Sequence, residues 1–170
     1  MANETTASNG AGPIPVKRLN HAVLYVRDLD VAVDFYRTAF GFEEIVREGG
    51  QMAFLRAAGS ENHHDLGLMA VGANAPRPAR GSTGLYHLAW QVASIEDLAK
   101  AETVLEQLGA LGGASDHGAT KSLYGADPDG NEFEIMWMVP RDEWGEHERR
   151  AIIEPLNLPR EVAAHGGKTS

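Results

Sequence analysis

Leu19-Asn20-His21-Ala22-Val23-Leu24-Tyr25-Val26 and, 66 residues further on, Leu85-Tyr86-His87-Leu88-Ala89-Trp90-Gln91-Val92 are two versions of one pattern. Both are apolar and rich in β-branched and aromatic residues, so both read as strands. The two histidines fall in register, and a repeat at a fixed offset is the mark of a duplicated structural unit. His21 is expected mid-strand, with Val23 and Tyr25 on its face and Ala22, Leu24 and Val26 on the other. His87 is expected likewise, with Ala89 and Gln91 beside it and Leu88, Trp90 and Val92 opposite.

Each strand leads into a helical pattern. The first takes Asp30 as N-cap, places Phe35, Tyr36, Ala39 and Phe40 on an apolar face, and stops at Gly41. The second opens on the capping-box-like Ser94-Ile95-Glu96-Asp97, carries Leu98, Ala101, Val104, Leu105 and Leu108, and stops at Gly109. Strand-like pieces follow each helix: Glu44 to Arg47, Ala53 to Ala57 and Leu66 to Val71, then a weak one near 112–118, Lys121 to Tyr124 and Glu132 to Met138. The formula is βαβββ twice, an α+β chain with modules at about 17–72 and 84–139. Residues 1–16 read as a flexible tail. Residues 140–170 read as a charged arm anchored by a few apolar residues (Trp144, Ile152, Ile153, Leu156 and Leu158), its end from His165 fraying.

The chain has 170 residues, 24 acidic against 15 basic side chains, a formal net charge of −9 and no cysteine. One domain with a real core is expected at this length. Net acidity argues against nucleic acid and anionic membrane as partners. The lack of cysteine excludes disulfides, thiolate metal sites and cysteine nucleophiles. The N-terminal sequence is no secretory signal and no run is long enough to span a bilayer, so a cytoplasmic location is expected.

The last hairpin can be registered from its turn. In Asp127-Pro128-Asp129-Gly130-Asn131, a three-residue loop of Pro128, Asp129 and Gly130 fits a type I turn with a G1 bulge. Asp127 then faces Asn131, and counting outward sets Tyr124 opposite Glu134, on one face of the sheet. His21, His87 and Glu134 thus interrupt otherwise apolar strands, where an ionised carboxylate is costly unless paired or metal-bound. A lone strand histidine is most often a satisfied core or edge residue. Two in equivalent places of a duplicated unit, with one carboxylate, make the ligand set of a non-haem Fe(II) oxygenase.

These residues resemble the vicinal oxygen chelate superfamily, most closely its single-domain type I extradiol (catechol 2,3-) dioxygenases. The resemblance rests on Leu19-Asn20-His21, His63-His64-Asp65, Leu85-Tyr86-His87 and above all Lys121 to Tyr124 followed by Asp127 to Glu134. It implies two modules forming an open, metal-enclosing half-barrel, with Fe(II), or Mn(II) in its place, on His21, His87 and Glu134. It makes His64 the acid/base histidine, Tyr124 the residue bonded to a substrate oxygen, and His117 a further histidine on the substrate side. The implied reactants are a catechol-type diol and O2. His63, His147 and His165 are read as solvated. Aligning Leu66-Gly67 with Phe133-Glu134 puts glycine where glyoxalase-like relatives carry a fourth ligand. Two other readings remain: a metal-dependent lyase or isomerase of glyoxalase or epimerase type, and a metal-free drug-binding protein. A homodimer is expected, since a two-module chain must cover its sheet edges and pocket mouth.

Overall fold

The computed structural model describes residues 13–77, 79 and 81–168. The first module runs β1 (Ala22–Val26), α1 (Leu29–Phe40), β2 (Glu43–Glu48), β3 (Met52–Arg56) and β4 (Leu66–Ala70). The second runs β5 (Leu88–Val92), α2 (Ile95–Gln107), β6 (Leu111–Asp116), β7 (Thr120–Ala126) and β8 (Glu132–Met138). Two short 3-10 turns, a two-residue strand β9 (Glu154–Pro155) and helix α3 (Leu158–His165) complete the chain. The sheets are ordered β1-β4-β3-β2 and β5-β8-β7-β6-β9. This is the expected α+β duplication, open rather than closed into a barrel.

The registers confirm the repeat. β1 pairs with β4 in parallel, Val23 against Gly67, and β5 pairs with β8 in parallel, Ala89 against Glu134. Gly67 therefore does occupy the place of Glu134. The Val23 and Phe54 side chains close over it, at 3.2 and 3.5 Å from where a Cβ would stand. The hairpin count also holds: Tyr124 pairs with Glu134. Gly130 takes φ 89°, its N–H bonding Asp127 O at 3.0 Å.

Two local expectations are corrected. His21 and His87 lie just before their strands, because the parallel ladders begin at Ala22 against Leu66 and at Leu88 against Phe133. The α1 cap is Asp28, whose extended backbone aims Oδ1 at the N–H groups of Asp30 and Val31, at 3.0 and 3.1 Å. Asp30 sits instead in the first turn, where its charge suits the helix dipole. Ser94 caps α2 as expected, accepting from Asp97 N at 3.1 Å.

The two modules share one core. Phe35 and Phe40 of α1 pack on Phe133, with ring centroids 5.9 and 5.1 Å apart, and Phe42 packs on Trp90 at 5.1 Å. Polar ties flank this joint: Arg27 Nε to Asp129 Oδ1 at 2.6 Å and Tyr36 OH to Asp127 Oδ2 at 3.2 Å. Phe133 and Trp90 use the strand faces opposite Glu134 and Ala89, so the joint occupies the helix side of both sheets.

The C-terminal arm is better ordered than expected. Asn157 caps α3 through Arg160 N, with Pro159 in the first turn, where its missing N–H costs nothing. Leu158 and Leu156 pack on the core, while Ile153 is exposed. His165 does not fray: its ring lies 5.2 Å from Trp137 and its nitrogens meet Glu143 and Glu161 at 3.3 and 3.5 Å. His147 is half-buried over Gly118, which has no side chain to displace it. Of the expected tail, 1–12 lie outside the described residues and 13–16 are exposed. Among the described residues no helix is long and apolar enough to cross a membrane.

Candidate metal centre

The second module brings four of the expected residues together. His87 Nε2 stands 3.0 Å from Glu134 Oε2, with side chains 25% and 12% exposed. Tyr124, on the neighbouring strand, puts its hydroxyl 3.5 Å from Glu134 Oε1 and 2.7 Å from His117 Nε2. His117 Nδ1 is 2.9 Å from Ile152 O in the C-terminal arm. A carbonyl only accepts, so Nδ1 carries a proton and, in the neutral ring, Nε2 accepts from Tyr124. The phenol proton is thereby drawn away from Glu134. Burial first, then the Glu134 charge, pushes the Tyr124 pKa above its ordinary value, so the phenol stays protonated at neutral pH.

The first module holds a second, smaller group. His21 is exposed, and its ring lies 4.5 Å from that of His64. Its Nδ1 meets Asn20 Oδ1 at 2.9 Å, and Asn20 is held in turn by Asn62 at 3.1 Å. Donation from Nδ1 to the Asn20 amide leaves Nε2 as a free acceptor, the second-partner arrangement common to metal-binding histidines. His64 lies in the loop before β4, against Phe54 at 4.8 Å. Burial, then the neighbouring His21 and His63 rings, holds its pKa below the ordinary histidine value, so it is a neutral base at pH 7. His63 adds only a contact to His64, Nδ1 to Nδ1 at 3.0 Å.

These two groups do not meet within the chain. Among the described residues no three of His, Asp and Glu converge as a metal site. The donors themselves suit one. An imidazole and a carboxylate converge at 3.0 Å in one half, and an imidazole with its outer nitrogen already engaged waits in the other. Two contributors carry no sequence signal of their own type: an asparagine beside a strand is ordinarily just solvated, as Asn20 would be, and the Ile152 carbonyl is backbone, which any residue supplies.

Residues 18–135 match the family model described as the Glyoxalase/Bleomycin resistance protein/Dioxygenase superfamily. The chain belongs to that superfamily. It is 31% identical over 129 residues to the catechol-2,3-dioxygenase of Bacillus subtilis (strain 168), covering 74% of this chain and 43% of that protein. It is 30% identical over 151 residues to the manganese-dependent 2,3-dihydroxybiphenyl 1,2-dioxygenase of Geobacillus genomosp. 3, covering 85% of this chain and 44% of that one. The chain thus spans less than half the length of these two curated relatives. Among solved structures, a glyoxylase/bleomycin resistance protein/dioxygenase domain from Frankia sp. EAN1pec shares the fold, with a TM-score of 0.62 and 24% identity over 73% of this chain and 99% of that one.

Proposed function

We propose that this protein is a non-haem extradiol ring-cleaving dioxygenase acting on a catechol-type aromatic diol with O2. The observation that carries the reading is the run of polar contacts His87–Glu134–Tyr124–His117, at 3.0, 3.5 and 2.7 Å in turn, two metal-type donors beside a fixed phenol and imidazole. His87, Glu134 and His21 would hold Fe(II) or Mn(II), a 2-His-1-carboxylate set. When bound, that metal would supply the electron path between diol and O2 and bring the two reactants together.

The chain's own residues would do the rest. Tyr124, its proton given to His117 Nε2, accepts from a substrate hydroxyl and fixes the ring's orientation. His64, neutral at pH 7, accepts the proton of the second diol hydroxyl and later returns one to the departing oxygen. His117, locked with its proton on Nδ1, offers Nε2 as an acceptor, holding Tyr124 in place. Gly67 adds no fourth ligand, which leaves room for a bidentate diol. Relatives named as dioxygenases at about 30% identity support the same class. The test is metal content after anaerobic purification, followed by oxygen uptake with a panel of catechols. Stoichiometric metal and diol-dependent uptake are expected. Bound metal without uptake would favour the lyase or isomerase reading, and absence of metal binding the drug-binding one.

A further inference from the structure

We infer that Asn62 is a positioning residue for His21: through the Asn20 amide it fixes which nitrogen of that ring carries the proton. The inference rests on the reading of His21 as a metal ligand, and goes beyond it by saying what keeps Nε2 free to bind.

A line of hydrogen bonds from Asp65 to His21 carries it. Asp65 is anchored first: Oδ2 accepts from Ala57 N at 2.8 Å and Oδ1 from Ser60 Oγ at 2.8 Å. Burial raises its pKa, but the bonds from Ala57 N–H, Asn62 and Ser60 together outweigh that and hold it below the ordinary aspartate value. At neutral pH Asp65 is therefore a carboxylate, which only accepts. The Asn62 atom that meets Asp65 Oδ1, at 2.7 Å, must then be the amide Nδ2. A guanidinium only donates, so the atom that meets Arg18 must be Asn62 Oδ1. Both neighbours demand the same orientation of one amide. Its Nδ2 places a second hydrogen on Asn20 O at 2.9 Å, and its Oδ1 takes Asn20 Nδ2 at 3.1 Å. Asn20 is thus oriented in turn, since turning its amide over would set two oxygens against each other. Its Oδ1 is left facing His21 Nδ1 at 2.9 Å. An amide oxygen only accepts, so Nδ1 carries the hydrogen and Nε2 keeps its lone pair for a metal. Asn62 also directly precedes His63 and His64, so the same amide ties the loop of His64 to the segment of His21, the two rings lying 4.5 Å apart. A tie by itself would hold position. The donor-to-acceptor polarity of the line Asp65–Asn62–Asn20–His21 is what sets the proton.

The test reads the His21 tautomer by nitrogen NMR in the metal-free protein, at about pH 8, above the histidine range, with Mn(II) affinity measured beside it. In the wild-type protein the proton should sit on Nδ1. Asn62→Leu leaves Asn20 free to turn, so the ring should return to a mixture of tautomers and Mn(II) should bind about 10–100-fold more weakly. Adding Asn20→Asp to Asn62→Leu separates the relay from a loop tie. A carboxylate presents an acceptor whichever way it turns, so Nδ1 should regain the proton and Mn(II) affinity most of its loss, although the tie is still missing. Circular dichroism checks folding, and Asn62→Ala repeats the measurement should leucine disturb the loop. A proton that stays on Nδ1 in the Asn62 variants overturns the inference, even if Mn(II) binds more weakly, because Asn62 would then act only as a tie. A double variant that remains a mixture of tautomers overturns it too. A wild-type protein that binds no Mn(II) removes the metal reading, while the tautomer, read without metal, still decides whether Asn62 sets the proton.

Discussion

Replacing Lys121 by Met should loosen the C-terminal arm at a cost that the burial around it sets. Lys121 is 6% exposed, and its Nζ lies 2.6 Å from Asp116 Oδ1 and 3.4 Å from Glu161 Oε2. Met keeps the volume of the stem and removes the ammonium. Asp116 then retains the Gly118 N–H at 2.7 Å, and Glu161, 7% exposed, retains among the described residues only the His165 ring at 3.5 Å. Removing one partner of a buried pair costs about 3–5 kcal/mol. Because Asp116 keeps some solvent and a backbone donor, the lower end, about 3 kcal/mol, is expected. Urea unfolding followed by tryptophan fluorescence should show the midpoint falling by roughly 1–2 M at an ordinary m-value. Adding Glu161→Leu should restore part of the loss, since it removes the stranded charge.

The pH dependence gives a second check on the same cluster. Burial raises the Asp116 pKa, but the Lys121 hydrogen bond, with Gly118 N–H, outweighs it and holds the group below its ordinary value. A carboxyl depressed in the folded state contributes stability above its unfolded pKa, about 3.9, and loses it as pH falls through the folded value. The gap between wild type and Lys121→Met should therefore narrow below about pH 4. A loss under about 1 kcal/mol at pH 7, or a double variant weaker than Lys121→Met alone, would refute the account.

Gly125→Ala should be strongly destabilising, by about 1–3 kcal/mol or more, because its Cβ would stand 2.5 Å from Ala110 O and 2.6 Å from Phe133. Gly113→Ala, with open space around it, should be neutral or slightly stabilising, and equal midpoints for the two in urea would contradict this packing. His64→Phe should keep its metal but turn over a catechol about 10²–10⁴-fold more slowly, the usual worth of a placed proton-transfer group. Near-normal oxygen uptake would make His64 a bystander, and loss of metal would make it a ligand. Nitrogen NMR should find the His117 proton on Nδ1, and a chain ending before Ile152 should return it to the ordinary mixture of tautomers. An unchanged spectrum would mean that the arm does not orient this ring.

Much of the second half-site was legible in the chain. The 66-residue repeat and the turn Asp127 to Asn131 suffice to pair Tyr124 with Glu134 and to set Gly67 in the place of Glu134. Ladders and tight turns have whole-number registers, so a count along the sequence carries over to space. Helix limits were legible to within two residues, because caps and left-handed glycines are local; Asp28 displaced Asp30 only because both are capping types. Tertiary structure alone decided three things: that His21 stays with His64 rather than joining Glu134, that Lys121 is enclosed by Asp116 and Glu161, and that Ile152 O reaches His117. The first follows from how two modules dock through Phe35, Phe40, Phe42, Trp90 and Phe133. Such aromatic packing has no period or register to read along a chain. The other two depend on where α3 and β9 come to rest, and a backbone carbonyl has the same chemistry in every residue type.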